Sequence, residues 1–428
     1  MNKYISNHLN KNNKLLKHSA VVVIASMMGN LFNYLYQLFM GRALGPEKYS
    51  VLGSLFAFIY IIGVMGSSIT WVISRFTTEF SVSKDLGKIK LLMLGTLKLV
   101  IGASVILFGL FALFSSNIAS FLRIDSVVPV ILVGIYGFFT LIGPIFNGVL
   151  NGLQSFKWTS VISVVATFSK LVFGVALVLL GFGVEGALIG LIIAALTGIL
   201  LYLISTRKIM LSKQAKINRI NIIKYLSPVF FGNVLLILII NVDVLLVKHF
   251  MPPVEAGYYI AASVIAKIVL FVSGAVNSVM FPKASELHER KEDASKILRS
   301  TLLYVLLVSG VSVVVYFTIP TFIVSILYGS SYEITHLIGL FGLALGFYSL
   351  NNVLVVYNLA MKRKRFVYFV LFSLLVEITG IFVFHNSILE IVKIMVVVNA
   401  MLFGLMLITV SRELGVNNVQ AVSNSSCL

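Results

Sequence analysis

Six ionisable side chains lie inside long apolar runs that are otherwise uncharged: Arg75, Lys98, Lys170, Asp243, Lys267 and Glu377. A charge surrounded by hydrocarbon is costly, so such residues pair, face water or meet a ligand. Lys170 and Lys267 fall about 18 Å and about 15 Å into the runs that hold them, too deep to snorkel easily. The competing reading for each is a lysine tucked between helices and paired structurally. Arg75 and Lys98 lie nearer the charged segments, where snorkelling to headgroups explains them as well as a ligand would. Asp243 and Lys267 fall on consecutive antiparallel runs at depths about 8 Å apart, so a structural ion pair competes with any separate role. Glu377 sits near the depth of Lys170. It reads as one half of a pair with that lysine, as a protonation site for coupling, or as a buried acid with no such role. The basic residues outnumber the two acids, which favours an anionic ligand. Asn33 and Asn241, with Asn30, Gln37, Asn233, Asn277 and Asn352, add amides that more often glue helices together than bind ligand.

The elements that position these residues follow from composition. The chain has 428 residues, 59% hydrophobic and 11% charged, more apolar surface than one water-soluble core can hide. Ser19 to Met40, Tyr49 to Ser74, Leu99 to Leu122 and Ser126 to Phe156 each reach the roughly 20 residues that cross about 30 Å of hydrocarbon. They are apolar all round rather than alternating, which implies helices and not barrel strands. The Lys-bearing start, Met1 to Lys17, leads into a run too long for a signal h-region, so the first span is expected to stay. Cutting at charged and turn-rich segments gives twelve spans: 18–40, 50–74, 91–114, 127–149, 158–180, 185–205, 226–248, 257–281, 298–319, 336–358, 367–385 and 391–411. "NIASFLRI" and "TFIVSILYG", the latter released at Pro320, are expected to lie along the outer interface.

Lys and Arg then set the orientation. One side collects the N-terminal lysines, Lys84 to Lys90, Lys157, Arg207 to Lys224, Lys283 to Arg299, "KRKR" at 362–365 and Arg412. The other has only Arg42, Lys48, Arg123, Lys248 and Lys393. Both termini are therefore expected in the cytoplasm of a multi-pass protein in the cytoplasmic membrane. The net charge of +18 is read as topological rather than as an affinity for nucleic acid.

"LGPEKYSVLGSLF" aligns without a gap with "MPPVEAGYYIAAS", Ser50 against Gly257, and in nearly the same register Glu79 meets Glu286, Asn147 meets Asn352 and Glu185 meets Glu390. The expected architecture is therefore an all-α integral membrane protein of twelve transmembrane helices, in two six-helix lobes related by a parallel internal repeat. Residues 1–206 form the first lobe, 207–224 a cytoplasmic basic linker, 225–412 the second lobe and 413–428 a cytoplasmic tail. Gly45–Pro46 and Pro252–Pro253 are expected to make a tight outer hairpin in each lobe.

"GRALGPEKYSVLGSLFAF", "NVDVLLVKHFMPPVEAGYYIAAS" and "FNGVLNGLQSFKW" together resemble the polysaccharide or O-antigen flippases, the Wzx-like members of the MATE/MOP superfamily, over essentially the whole chain. Ser50 stands where such proteins often have Gly. The resemblance implies a two-lobed alternating-access transporter that moves a lipid-linked (polyprenyl-pyrophosphate) oligosaccharide across the cytoplasmic membrane. Membrane lipids, and glycan polymerase or glycosyltransferase machinery, would be its further partners. Lys170, Lys267, Arg75, Lys98, Asn33 and Asn241 become candidates for the substrate cavity, and Asp243 and Glu377 for coupling. Multidrug exporters of the same superfamily are the alternative. They would place an acid in the first span, and Ser19 to Met40 has none, although Asp243 could serve from the second lobe. A membrane glycan polymerase or ligase would need a folded outer loop, and the outer loops are short. The single cysteine, Cys427, precludes an internal disulfide. The scattered histidines lack ligand spacing, and no Gly-Lys phosphate loop is present. No metal, cofactor or enzymatic activity is expected.

Overall fold

The computed structural model describes residues 2–83, 85–212, 234–235, 237–290, 292–329, 332–363 and 365–425, with side-chain surroundings from 22 to 411 except at 271, 272, 275 and 278. Every regular element among them is helical. The order is α1 (Asn2–Val82), α2 (Leu86–Leu113), α3 (Ser115–Phe121), α4 (Val128–Thr140), α5 (Gly143–Gly152), α6 (Phe156–Leu177), a π turn (Val178–Phe182) and α7 (Gly183–Met210). Then follow α8 (Val242–Phe250), α9 (Pro253–Ala266), α10 (Ile268–Glu289), α11 (Ser295–Thr318), α12 (Pro320–Leu327), α13 (Thr335–Ala360), α14 (Phe366–Val383) and α15 (Ile388–Ser425). The chain divides into two compact units, Met1–Ile237 and Leu238–Leu428. The basic linker beyond Ser212, residues 226–233 (Asn233 among them) and 236 of span seven, and Lys364 lie outside the described residues.

Nine stretches among the described residues are long and apolar enough to cross a membrane, and two of these, Val22–Val82 and Phe156–Met210, run for 61 and 55 residues. A straight helix of that length would be about three bilayers long. Both fold back instead. Gly45, at φ 70° and ψ 170°, breaks α1, and Pro46 opens its second arm, where a missing N–H costs nothing. Tyr36 and Phe56, which a straight helix would hold about 30 Å apart, bring their rings to 6.2 Å. The hairpin read from "GRALGPEKYS" is therefore present. Ser50 is buried and its hydroxyl donates to the Glu47 carbonyl at 2.6 Å. Between α6 and α7 the reversal falls at Gly181 and Gly183, both at positive φ. It brings Gly190 so close to Gly174 that a Cβ on Gly190 would lie 2.5 Å from the Gly174 Cα.

Three expected spans are interrupted, span seven by a turn at 239–241 just ahead of α8. Span four is the pair α4 and α5, parted at Leu141–Ile142. Pro144 has no N–H to return to the preceding turn, and its carbonyl accepts from the Thr70 hydroxyl at 3.1 Å. Gly148 and Gly152 lie one and two turns further on, against the Thr70 and Ser74 carbonyls. The "FNGVLNG" stretch is thus a close helix–helix seam of the small-residue kind. Span eight is α9 and α10, parted at Lys267. There Leu270 N–H donates to the Lys267 carbonyl, an i→i+3 bond of 3.0 Å that tightens the turn, without a Pro or Gly to announce it.

Pro320 opens the short α12, as expected from the sequence, and α3 is its short counterpart after α2. In the second unit α13 is the central helix, with Leu337, Phe341, Ala344, Leu345, Val353 and Leu354 buried. The outer faces of α2 and α11 carry exposed aliphatics such as Leu99, Val105, Leu110, Leu303, Leu307 and Val311, the surface that lipid requires.

Candidate functional site

The first arm of α1 runs alongside α6 in parallel. Gly29 approaches Ser163 and Thr167, and one turn later Asn33 meets Lys170. After another turn Tyr36 lies against Gly174, where a Cβ would come within 2.6 Å of the tyrosine ring. Parallel packing is what alternating crossings require of spans one and five. Lys170, half-buried, donates from Nζ to Asn33 Oδ1 at 2.6 Å. The same ammonium lies 4.4 Å from the centroid of the Tyr36 ring and 5.8 Å from that of Phe56. Tyr36 is held in turn by its hydroxyl, which donates to the Ala187 carbonyl of α7 at 2.8 Å.

An amide and two aromatic faces solvate a cation without neutralising it. Among the described residues no carboxylate lies within ion-pair distance of Lys170. The arrangement surrounds the amine with an amide oxygen and two ring faces, a setting that suits a cation awaiting an anion. Beside it the Tyr49 hydroxyl donates to Gln37 Oε1 at 3.2 Å. The Gln37 amide nitrogen then points to the Tyr60 hydroxyl at 3.5 Å, and the Tyr60 ring tilts against Phe56 at 5.9 Å.

The second unit holds a different constellation. Asp243, on the first turn of α8, is fully buried, and its Oδ2 accepts from the Tyr259 hydroxyl of α9 at 2.8 Å. Oδ1 has no hydrogen-bond partner among the described residues, and the same holds for both oxygens of the buried Glu377 on α14. The charge of Asp243 interacts with that of Lys267 and with that of Glu377. Asn399 and Asn351 continue the polar seam, Asn351 Nδ2 donating to the Asn399 carbonyl at 2.9 Å. Glu377 belongs to the second unit, where its charge interacts with that of Asp243.

Of the residues singled out from sequence, Asn33 and Lys170 are therefore joined by a hydrogen bond, and Asp243 lies near enough to Lys267 and to Glu377 for the charges to interact. Arg75 and Lys98 are exposed and stand apart from the contacts of Lys170. Asn241 is buried at the start of α8. Sequence reasoning missed the collar of Tyr36, Tyr49, Phe56 and Tyr60, and Tyr259. Their signal was an aromatic next to an amide, Tyr36–Gln37, and two aromatics one helical turn apart, Phe56–Tyr60, which read equally well as core.

A model of the family described as "Polysaccharide biosynthesis protein" matches residues 96–337. No curated protein sequence matches the chain significantly. Among solved structures, an inward-facing multidrug resistance MATE family transporter of the MOP superfamily superposes with a TM-score of 0.70 at 15% identity, over 92% of this chain and 98% of that one. The lipid II flippase MurJ in an inward closed conformation gives 0.71 at 16% identity, over 92% and 87%. A mutant of the Vibrio cholerae MATE transporter VcmN gives 0.67 at 14% identity, over 94% and 96%. The fold is that of the MOP-superfamily transporters.

Proposed function

The chain belongs to the polysaccharide biosynthesis protein family, and from that premise we propose that it is a flippase. It carries a lipid-linked oligosaccharide, joined through pyrophosphate to a polyprenol, across the cytoplasmic membrane for surface glycan assembly. Both termini lie in the cytoplasm, the two six-helix lobes rock in alternating access, and glycan polymerase or glycosyltransferase machinery supplies and takes up the substrate. The protein makes and breaks no covalent bond. The observation that carries this reading is the Lys170 ammonium, held by Asn33 and two rings with no carboxylate among the described residues to neutralise it. A phosphate oxygen is the partner such a cation lacks.

Within their own units, Lys267, Arg75, Lys98 and Asn241 are proposed as further substrate contacts, while Asp243 and Glu377, with unfilled oxygens in a buried seam, bind and release the coupling cation or proton. The MATE-type exporter of cationic drugs fits the fold equally. What favours the flippase is the family match together with a cation, not an acid, at the centre of the first unit's cluster. Deleting the gene in its host tests the choice. Lipid-linked oligosaccharide accumulating with its sugars on the cytoplasmic side supports the flippase, whereas drug sensitivity with normal surface glycan supports the exporter.

A further inference from the structure

The second arm of α1 presents an exposed stripe that combines aromatic, small, hydroxyl and basic side chains. Tyr60, Gly63, Ser67, Trp71 and Arg75 recur at three- and four-residue intervals and are all exposed. They therefore share one helical face. Tyr60 is 39% and Trp71 69% accessible, and a Cβ placed on Gly63 would meet nothing within 4 Å. The exposed faces of α2 and α11 are made mainly of Leu, Ile and Val, with Tyr304 and Phe317 among them on α11, as contact with acyl chains demands. A stripe of two aromatics, a hydroxyl, a glycine and an arginine has no such match to hydrocarbon. It suits a hydrated ligand with alternating apolar and hydroxyl faces. Aromatic rings stack on the C–H face of a pyranose, while the guanidinium and amide donate to its hydroxyls.

We infer that this stripe is the track for the oligosaccharide, with Tyr60 stacking on the sugar next to the pyrophosphate and Trp71 on a sugar further from it. The inference rests on the reading of Lys170 as the pyrophosphate anchor. Phe56 touches both Lys170 and Tyr60, so Tyr60 is one ring beyond the anchored phosphate, where the first sugar must be. Gln37, oriented by Tyr49, sits at the hydroxyl end of Tyr60. Trp71 follows after about 16 Å of helix rise, the reach of an oligosaccharide and not of a monosaccharide.

The test is equilibrium binding of the purified full-length protein in nanodiscs, measured by native mass spectrometry. Three probes are used: polyprenyl pyrophosphate with no sugar, with one N-acetylhexosamine, and with a trisaccharide. Wild type should bind the three with rising affinity. Trp71→Leu, which a lipid-facing position would tolerate, should lose about tenfold for the trisaccharide alone, the order of one aromatic contact. Tyr60→Ala should lose as much for both sugared probes and nothing for the bare lipid. Tyr60→Phe, which keeps the ring and guards against a folding defect, should retain most of the gain. Unchanged binding in Trp71→Leu, equal losses for all three probes, or a Tyr60→Phe as impaired as Tyr60→Ala overturns the track and leaves the flippase standing. A wild type that binds none of the three lipids overturns both.

Discussion

Lys170 and Lys267 both fall deep in apolar runs of the sequence, and their surroundings separate them. Lys170 is held by an amide oxygen and two ring faces, whereas the charge of Lys267 interacts with Asp243 at a break between helices. Lys170→Gln keeps a donor for Asn33 while removing the charge. Transport should fall on the order of a hundredfold, the size of losing a desolvated charge contact, with protein level and melting temperature near wild type. Unimpaired transport by this variant would remove Lys170 from the site. Lys170→Arg should recover part of the activity only if the collar admits the wider guanidinium. At Lys267 a double change separates scaffold from ligand contact. If the lysine serves only to balance Asp243, Asp243→Asn with Lys267→Gln should transport better than either single variant. Continued loss in the double variant assigns Lys267 its own role.

The helices that deliver these side chains were legible wherever length, apolarity and punctuation agreed. Gly45–Pro46, the reversal before Glu185 and the break at Pro320 all stand near where turn residues placed them. The division at Lys267 carried no Pro or Gly, because a single tightened turn is set by packing rather than local propensity. The collar around Lys170 was hidden for a related reason, since aromatic residues at helical spacing look the same whether they face a core or a cation. Gly174 shows how closely the cluster depends on its frame. Gly174→Leu would drive a side chain into the Tyr36 ring, costing about 1–3 kcal/mol by overpacking and pushing the ring off Lys170. Thermal unfolding should show the loss, and a variant as stable as wild type would mean that α6 can shift. At the start of α11, the Ser295 hydroxyl and N–H hold the Asp293 carboxyl below its usual range. A depressed carboxylate contributes at neutral pH and loses that contribution as pH falls below about 4. Amide exchange in the first turn of α11 should quicken there, and not in Asp293→Asn.

For the whole molecule, the positive-inside pattern and the proposed repeat of one helical order make a single topological claim. Reporter fusions at Lys88 and Ser212 should read cytoplasmic, and fusions at Lys48, Val184 and Pro253 external. Exchanged signals at several of these sites would undo the orientation, and with it the direction of transport. That direction is tested most directly by reconstitution. The purified protein is placed in vesicles whose lipid-linked oligosaccharide has been stripped of sugar on the outer leaflet by a glycosidase, and the reappearance of sugar outside is followed with a lectin. Wild type should restore outer-leaflet sugar far faster than protein-free vesicles and faster than Lys170→Gln. Equal rates in all three, with the same wild-type preparation carrying a cationic drug across the bilayer, would contradict the flippase and establish the exporter.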